Sequence, residues 1–341
     1  MNADMTHRGT GGGLGQASGA APEGVLNVLK APGYTSHDVV ARVRRLLGIR
    51  RIGHTGTLDP GAAGVLVLCV GRATRLVELL QAEDKAYRAE MVLGVSTDSQ
   101  DSFGRPISED LGMRVPRAQL EAVMARFVGT IKQVPPMASA VRHQGRRLYE
   151  LARIGVDVER PAREVTIYEI HLVRVEPDAD VLTYGARILF DVVCSKGTYV
   201  RTLCADIGRA LGCGAYMSFL LRTRAGAFGI QQSRTLEELE EDLRQGTVPM
   251  VGMDQALAHL PMVRLSAEAA RRAAHGQVVV EADRLVDDFR PGGQRVDAPA
   301  PPGATVQGPV RLQDPDGRLV AVADPVATAH GRGWHPRIVL N

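Results

Sequence analysis

The stretch "RIGHTGTLDPGAAGVLVLCVGRATR", residues 51–75, decides the fold. Its first half places a histidine, threonines and glycines around Asp59 and Pro60, and its second half is a continuous apolar run from Gly64 to Val70. Proline biases the preceding residue away from helical geometry, and glycines let a backbone approach a ligand or another loop closely. We therefore predict a loop that displays the Asp59 carboxylate, followed at once by a buried strand.

Helical and strand-like patterns surround this stretch. Thr35 and Asp38 form a capping-box pattern ahead of an apolar stripe, which predicts a helix with arginines on its outer face. Two more helices are predicted over 117–127 and 201–211, and further strands over 87–95, 164–175 and 186–194. The mixture predicts an α+β fold class.

Composition narrows the protein class. A chain of 341 residues, 45% of them hydrophobic, can bury about three quarters of its unfolded surface, which suits one large domain and one small one. The four cysteines form no CxxC pair and no zinc-type spacing, so we expect a reduced cytoplasmic protein without a metal. No apolar run has the length of a membrane span, so we expect no membrane partner.

Three segments organise the chain. We predict a flexible tail over 1–22, a large α+β unit over 23–258 and a β-rich C-terminal module over 262–341. Within that module, Pro and Gly residues predict a mobile loop over about 283–308, and Asp-Gly between two strand-like runs predicts a hairpin after it.

Positive charge is concentrated in three segments of the chain, although the net charge is only +3. Basic residues dominate 38–51, 130–149 and 195–224, whereas acid collects at 237–242. Each cluster could be a solvated helix face. Three of them beside unusual loops favour a polyanionic partner.

Residue chemistry leaves two interpretations of Asp59 open. It could cap a turn, or it could act as a nucleophile toward a sugar or base carbon. The sequence contains no phosphate-binding loop, dinucleotide turn, nucleophile elbow, zinc-protease helix or zinc-deaminase signature, so a working Asp59 would need neither metal nor cofactor. Arg201 is a candidate partner, because a nearby arginine favours the ionised form of a carboxyl group.

The run "GHTGTLDPGAAGVL" resembles the catalytic motif of the TruB family of tRNA pseudouridine synthases. Further similar blocks occur in the family's order on both sides of this run, at 33–40, 84–104, 133–156, 194–217 and 220–228. The resemblance implies a pseudouridine synthase fold with a central mixed, largely antiparallel sheet flanked by helices and loops. It also implies a small C-terminal domain of the PUA type and a thumb-like insertion at about 130–150 that grips the tRNA T-arm.

The same resemblance implies roles for individual residues. Asp59 would be the nucleophile, Arg201 would hold it ionised, and Tyr87 would stack on the extruded base and serve as candidate base at C5. Substrate-binding positions are implied at four further residues: His54, Tyr199, Leu220 and Lys30. Of these, Lys30 is expected to support the loop rather than to react.

The chain departs from the family pattern in three places. Ala31-Pro32 displaces a proline, Gly61 and Ala63 replace a leucine and a threonine, and Leu221 stands where an arginine is usual, which puts one arginine contact in doubt.

The resemblance implies isomerisation of the uridine at position 55 of tRNA to pseudouridine, by a monomer that has no indicated protein partner. An RNA-binding module without chemistry is the alternative. A nucleoside hydrolase is disfavoured, because no second clustered carboxylate or metal site accompanies Asp59.

Overall fold

The structure, a computed structural model, describes residues 22–340 except 138, 140, 144, 157, 286–307 and 330. Its strands are β1 (Gly24–Lys30), β2 (Ile52–His54), β3 (Ala63–Val70), β4 (Lys85–Leu93), β5 (Val95–Thr97), β6 (Pro106–Glu109), β7 (Val115–Pro116), β8 (Gly129–Gln133), β9 (Arg142–His143), β10 (Arg146–Arg147), β11 (Arg163–Glu176), β12 (Val181–Leu182), β13 (Arg187–Cys194), β14 (Ala215–Ala225), β15 (Phe228–Gly229), β16 (Met262–Arg264), β17 (Val279–Val280), β18 (Val310–Gln313), β19 (Leu319–Thr328) and β20 (Gly331–Val339). Its α-helices are α1 (Ser36–Leu47), α2 (Val77–Ala82), α3 (Arg117–Ala125), α4 (Leu148–Arg153), α5 (Val200–Leu211), α6 (Leu236–Arg244), α7 (Met253–Ala256) and α8 (Ala267–Ala274). The predicted α+β class is confirmed.

One large sheet forms the centre of the molecule. Its strand order is β1-β3-β14-β4-β13-β11-β8, with β2 paired to β3 and β15 paired to β14. These neighbours run antiparallel except β3 and β14, which pair in parallel at Ala63 and Gly64 of β3. The predicted mixed, largely antiparallel sheet is thus confirmed. The parallel contact brings β14 beside the end of the Asp59 loop.

Helix α5 packs closely on this sheet. Leu203, Cys204 and Ile207 of α5 are fully buried in the core that the helix forms with the sheet. The approach is so close that a Cβ atom at Gly208 would lie 2.2 Å from the backbone nitrogen of Ala215. This packing fixes the first turn of α5, which carries an arginine of the site.

Helix α1 has the predicted capping box. The Asp38 backbone N–H donates to the Thr35 hydroxyl, and the Thr35 backbone N–H donates to the Asp38 carboxylate. The helix ends at Gly48, whose φ of 67° is left-handed and suits glycine. Of the helices that the structure describes, none has the length and apolar content to cross a membrane.

The C-terminal residues form a second sheet. Its order is β16-β18-β19-β20-β17, and α8 packs against it. The predicted hairpin is confirmed as β18 and β19, which are antiparallel. Val322 and Leu340 of this part share one apolar cluster with Val67 and Leu76 of the N-terminal part, so the two parts have a common core.

Three predicted segments lie wholly or partly outside the residues that the structure describes. The predicted mobile loop falls mainly on 286–307, and the predicted tail on 1–21, both outside the described residues. Residues 129–133 form β8, which pairs with β11 in the central sheet. The first residues of the insertion expected at about 130–150 thus lie in the sheet, and the insertion itself stays a prediction.

Candidate active site

The loop over residues 55–62 connects β2 to β3 and carries Asp59. The Ala62 backbone N–H donates to the Asp59 carbonyl oxygen at 3.0 Å, which closes a turn with Pro60 in its second position. Leu58 is buried, and its backbone N–H donates to the Ser36 hydroxyl at 2.9 Å. The backbone on both sides of Asp59 is therefore held in place.

Lys30 supports this loop through hydrogen bonds to backbone carbonyl oxygens. Its side chain is fully buried, and Nζ donates to the carbonyl oxygens of Ala62 at 2.6 Å, Ala31 at 3.0 Å and Pro60 at 3.3 Å. Burial lowers the pKa of the Lys30 ammonium to about 8, while the nearby Asp59 carboxylate opposes that shift. These contacts agree with the expected supporting role.

Arg222 holds the other end of the same loop. The side chain is buried, and its guanidinium donates to the carbonyl oxygens of Val65 at 2.7 Å, Gly56 at 3.0 Å and Thr57 at 3.4 Å. The loss of an arginine at Leu221 had put a loop contact in doubt. The neighbouring Arg222 makes three such contacts.

Arg201 lies between two carboxylates. Its Nε is 3.0 Å from Asp59 Oδ2, and its Nη1 is 3.3 Å from Asp101 Oδ2. Nη1 also donates to the Ser99 carbonyl oxygen at 3.2 Å. The Arg201 side chain is only 5% exposed, so the guanidinium is a fixed positive charge beside Asp59.

The Asp59 side chain is 39% exposed, so water reaches part of the carboxylate. Burial on its other sides raises the pKa of the Asp59 carboxyl above its ordinary value. The Arg201 guanidinium opposes this shift, whereas the negative charge of Asp101 adds to it. Arg201 is thus the main group that favours an ionised Asp59.

Tyr87 lies on β4, directly across from Arg222 of β14 in the sheet register. Its side chain packs against the main core and is partly buried. Burial raises the pKa of the Tyr87 phenol above its ordinary value, and a hydrogen bond with Arg222 opposes the shift. The phenol therefore keeps its proton at neutral pH.

A cleft of about 680 Å³ opens in front of these groups. The structure brings five of the seven predicted site residues to its wall: Asp59, Tyr87, Tyr199, Arg201 and Leu220. Tyr199 is the N-cap residue of α5, and its backbone exchanges two hydrogen bonds with the Gln133 side chain at 3.0 and 3.3 Å. These five residues thus bring one acidic side chain, one basic side chain, two phenols and one apolar side chain to the cleft wall.

His54 and Lys30 do not belong to the described wall of this cleft. The His54 ring packs edge-on against His37, with 5.7 Å between ring centroids, and its Nδ1 accepts from the Gly56 backbone N–H at 3.3 Å. His54 therefore braces the start of the Asp59 loop, and its expected role with a flipped nucleotide stays a prediction.

Asp101 and Arg222 are two site residues to which we assigned no role from the sequence. Asp101 lies in "STDSQDSFG", where an acidic residue in a Ser- and Gly-rich run was the available signal. Arg222 lies in an apolar strand, and an arginine there needs buried acceptors. In the described part of the chain, no group of His, Cys, Asp and Glu is arranged to hold a metal ion.

Comparison with known proteins identifies the family. The model for the "TruB family pseudouridylate synthase (N terminal domain)" matches residues 44–200, and that for the "tRNA pseudouridylate synthase B C-terminal domain" matches 201–257. The tRNA pseudouridine synthase B of Symbiobacterium thermophilum is 52% identical over 74% of this chain and 82% of its own length. That of Moorella thermoacetica is 48% identical over 88% of this chain and 93% of its own length.

Solved structures agree in fold. The crystal structure of a Cbf5-Nop10-Gar1 complex has a TM-score of 0.67 at 30% identity, covering 92% of this chain and 83% of that chain. With family models matched over 44–257 and relatives near 50% identity, this chain belongs to the TruB family of pseudouridylate synthases.

Proposed function

We propose that this enzyme isomerises the uridine at position 55 in the T-loop of tRNA to pseudouridine. The observation that carries the proposal is the Asp59 carboxylate at the cleft wall, 3.0 Å from the buried Arg201 guanidinium. The names of its relatives, tRNA pseudouridine synthase B, support tRNA as substrate. The proposed reaction needs no cofactor, because the atoms of uracil are only rearranged.

In this proposal Asp59 initiates cleavage of the bond between N1 of uracil and C1′ of ribose. The freed uracil turns, and a bond forms between its C5 and C1′. The C5 proton leaves to solvent and N1 takes up a proton from solvent, so atoms and electrons balance. An initiating carboxylate must be ionised. Arg201 supplies the positive charge that favours this state against the burial of Asp59.

The cleft wall suits an extruded base. Tyr87 and Tyr199 offer aromatic faces, and Leu220 offers an apolar surface. Because burial keeps the Tyr87 phenol protonated at neutral pH, we favour its stacking role over its role as the base at C5. Taking a uridine out of a stacked loop costs a few kcal/mol, and one aromatic stack of about 1–3 kcal/mol offsets much of this cost.

The basic segments extend the proposal to the whole substrate. Arginines in 42–51 would contact phosphates, and the insertion at about 130–150 would grip the T-arm. We propose a monomer acting in the cytoplasm, with the C-terminal sheet assisting RNA binding as a PUA-like domain.

The proposal is tested by release of tritium from C5-labelled uridine in an unmodified tRNA transcript. Wild type should release tritium, and Asp59→Asn should release none while binding the transcript. Asp178→Asn is the matched control, because Asp178 is 83% exposed and pairs with Arg117 on the surface. A transcript with cytidine at position 55 should give no release from wild type.

The alternative is an RNA-binding protein without chemistry. It predicts tight tRNA binding and no tritium release from wild type. Substantial turnover by Asp59→Asn would instead remove Asp59 from its proposed role.

A further inference from the structure

Phe103 is the most exposed large hydrophobic side chain in the part of the chain that the structure describes, at 80%. An exposed phenyl ring does not gain the free energy that burial contributes to folding. Single exposed hydrophobic residues are common on proteins, so exposure alone assigns nothing. Its position in this molecule is what distinguishes Phe103.

The Phe103 ring lies against the turn that carries Asp59. A Cβ atom at Gly61 would lie 2.3 Å from Cε2 of Phe103, so the ring occupies the space that a side chain at position 61 would need. Residue 61 is a glycine, so no side chain competes with the ring for that space. An aromatic face therefore lies at the edge of the Asp59 loop.

The backbone that carries Phe103 is rigid. The Phe103 backbone N–H donates to Asp101 Oδ1 at 3.0 Å, and the Gly104 N–H donates to the Asp101 carbonyl oxygen at 3.2 Å. The Arg105 N–H donates to Asp98 Oδ1 at 2.9 Å. Because Asp101 also pairs with Arg201, the backbone at residue 103 is linked to the arginine that contacts Asp59.

We propose that Phe103 is a stacking platform for an RNA base that neighbours the target uridine. The inference rests on the proposed function, in which an RNA loop enters the cleft. Extruding one base leaves its neighbours without a stacking partner, and an exposed aromatic ring against the Asp59 loop can replace that partner. Every base has a π-face, so Phe103 adds affinity without reading sequence.

Binding of unmodified tRNA tests this role. The variants carry Asp59→Asn as well, so that the RNA is not converted during the measurement. Phe103→Ala and Phe103→Leu should each raise Kd at least about 5-fold. This factor corresponds to about 1 kcal/mol, the lower end of the range for one base stack, because the ring remains partly open to water. Phe103→Tyr should restore binding. Ile107→Ala is the matched control, since Ile107 is 68% exposed in the same β5–β6 hairpin and should leave Kd unchanged.

Fluorescence of Phe103→Trp supplies a direct signature. Tryptophan emission at position 103 should be quenched when tRNA binds, whereas emission of Ile107→Trp should not. The inference is overturned if Phe103→Ala leaves Kd unchanged, if Ile107→Ala weakens binding equally, or if tRNA leaves the Phe103→Trp emission unaltered. These assays do not depend on turnover, so they can fail while tritium release succeeds, and the two proposals are separable.

Discussion

Substituting Arg222 by lysine should disable catalysis while keeping the positive charge. The Arg222 guanidinium reaches three carbonyl oxygens, those of Val65, Gly56 and Thr57, from three separate nitrogens. A lysine ammonium is a single point of charge and cannot reproduce that fork. We expect it to keep one of the three contacts, so the segment before Asp59 loses its anchor.

The magnitude follows from the two lost hydrogen bonds. A hydrogen bond to a charged group contributes about 1.5–3 kcal/mol, so two of them contribute about 3–6 kcal/mol. Gly56 and Thr57 border the open cleft, where water can replace the lost donor, which favours the lower bound. About 3 kcal/mol corresponds to roughly a 150-fold loss of the correctly positioned loop.

The assay is tritium release at saturating tRNA, together with tRNA affinity and urea unfolding. Arg222→Lys should lower kcat about 100-fold, change Kd for tRNA less than about 3-fold, and lower the urea midpoint. Arg224→Lys is the matched control on the same strand, because Arg224 donates one hydrogen bond, to Gly226, away from the Asp59 loop. We expect its kcat to stay within about 2-fold of wild type.

The reasoning is refuted if Arg222→Lys folds normally and keeps kcat within about 3-fold of wild type. It is also refuted if Arg224→Lys loses as much activity, since any arginine of β14 would then behave alike.

Two further substitutions test the elements around Asp59. Asp101→Asn removes a negative charge that raises the pKa of the Asp59 carboxyl, so the acid limb of the kcat pH profile should move to lower pH. Because Arg201 also loses a contact, kcat should fall at every pH. An acid limb that moves to higher pH would contradict this prediction. Gly208→Ala should lower the free energy of unfolding in urea by about 1–3 kcal/mol, because the new Cβ would collide with the Ala215 backbone. This loss should exceed the gain from the higher helix propensity of alanine. A rise in stability would show that α5 and β14 are less closely packed.

Local elements could be predicted because short-range physics specifies them. The capping box at Thr35, the apolar run of β3 and the glycine that ends α5 act within a few residues, and all three are found where the sequence placed them. The choice of Asp59 as nucleophile came from family resemblance, since residue chemistry alone slightly favoured a turn-capping role.

Residues that act across the sheet could not be predicted in the same way. The contact of Arg222 with Gly56 joins residues 166 positions apart, and that of Arg201 with Asp101 joins residues 100 apart. Such pairs exist only because β14 lies parallel to β3 and α5 packs on the sheet. Nothing in the local sequence of either partner specifies the other.

The sequence by itself therefore determined the α+β class, the main helices and strands, and a loop that presents Asp59. Only the tertiary structure decided that Asp101 shares Arg201 with that carboxylate, that His54 braces the loop outside the described cleft wall, and that Phe103 lies over Gly61. The physical reason is the range over which each kind of interaction acts along the chain. Propensity, capping and turn formation depend on neighbours along the chain, whereas burial, ion pairing and pKa depend on neighbours in space.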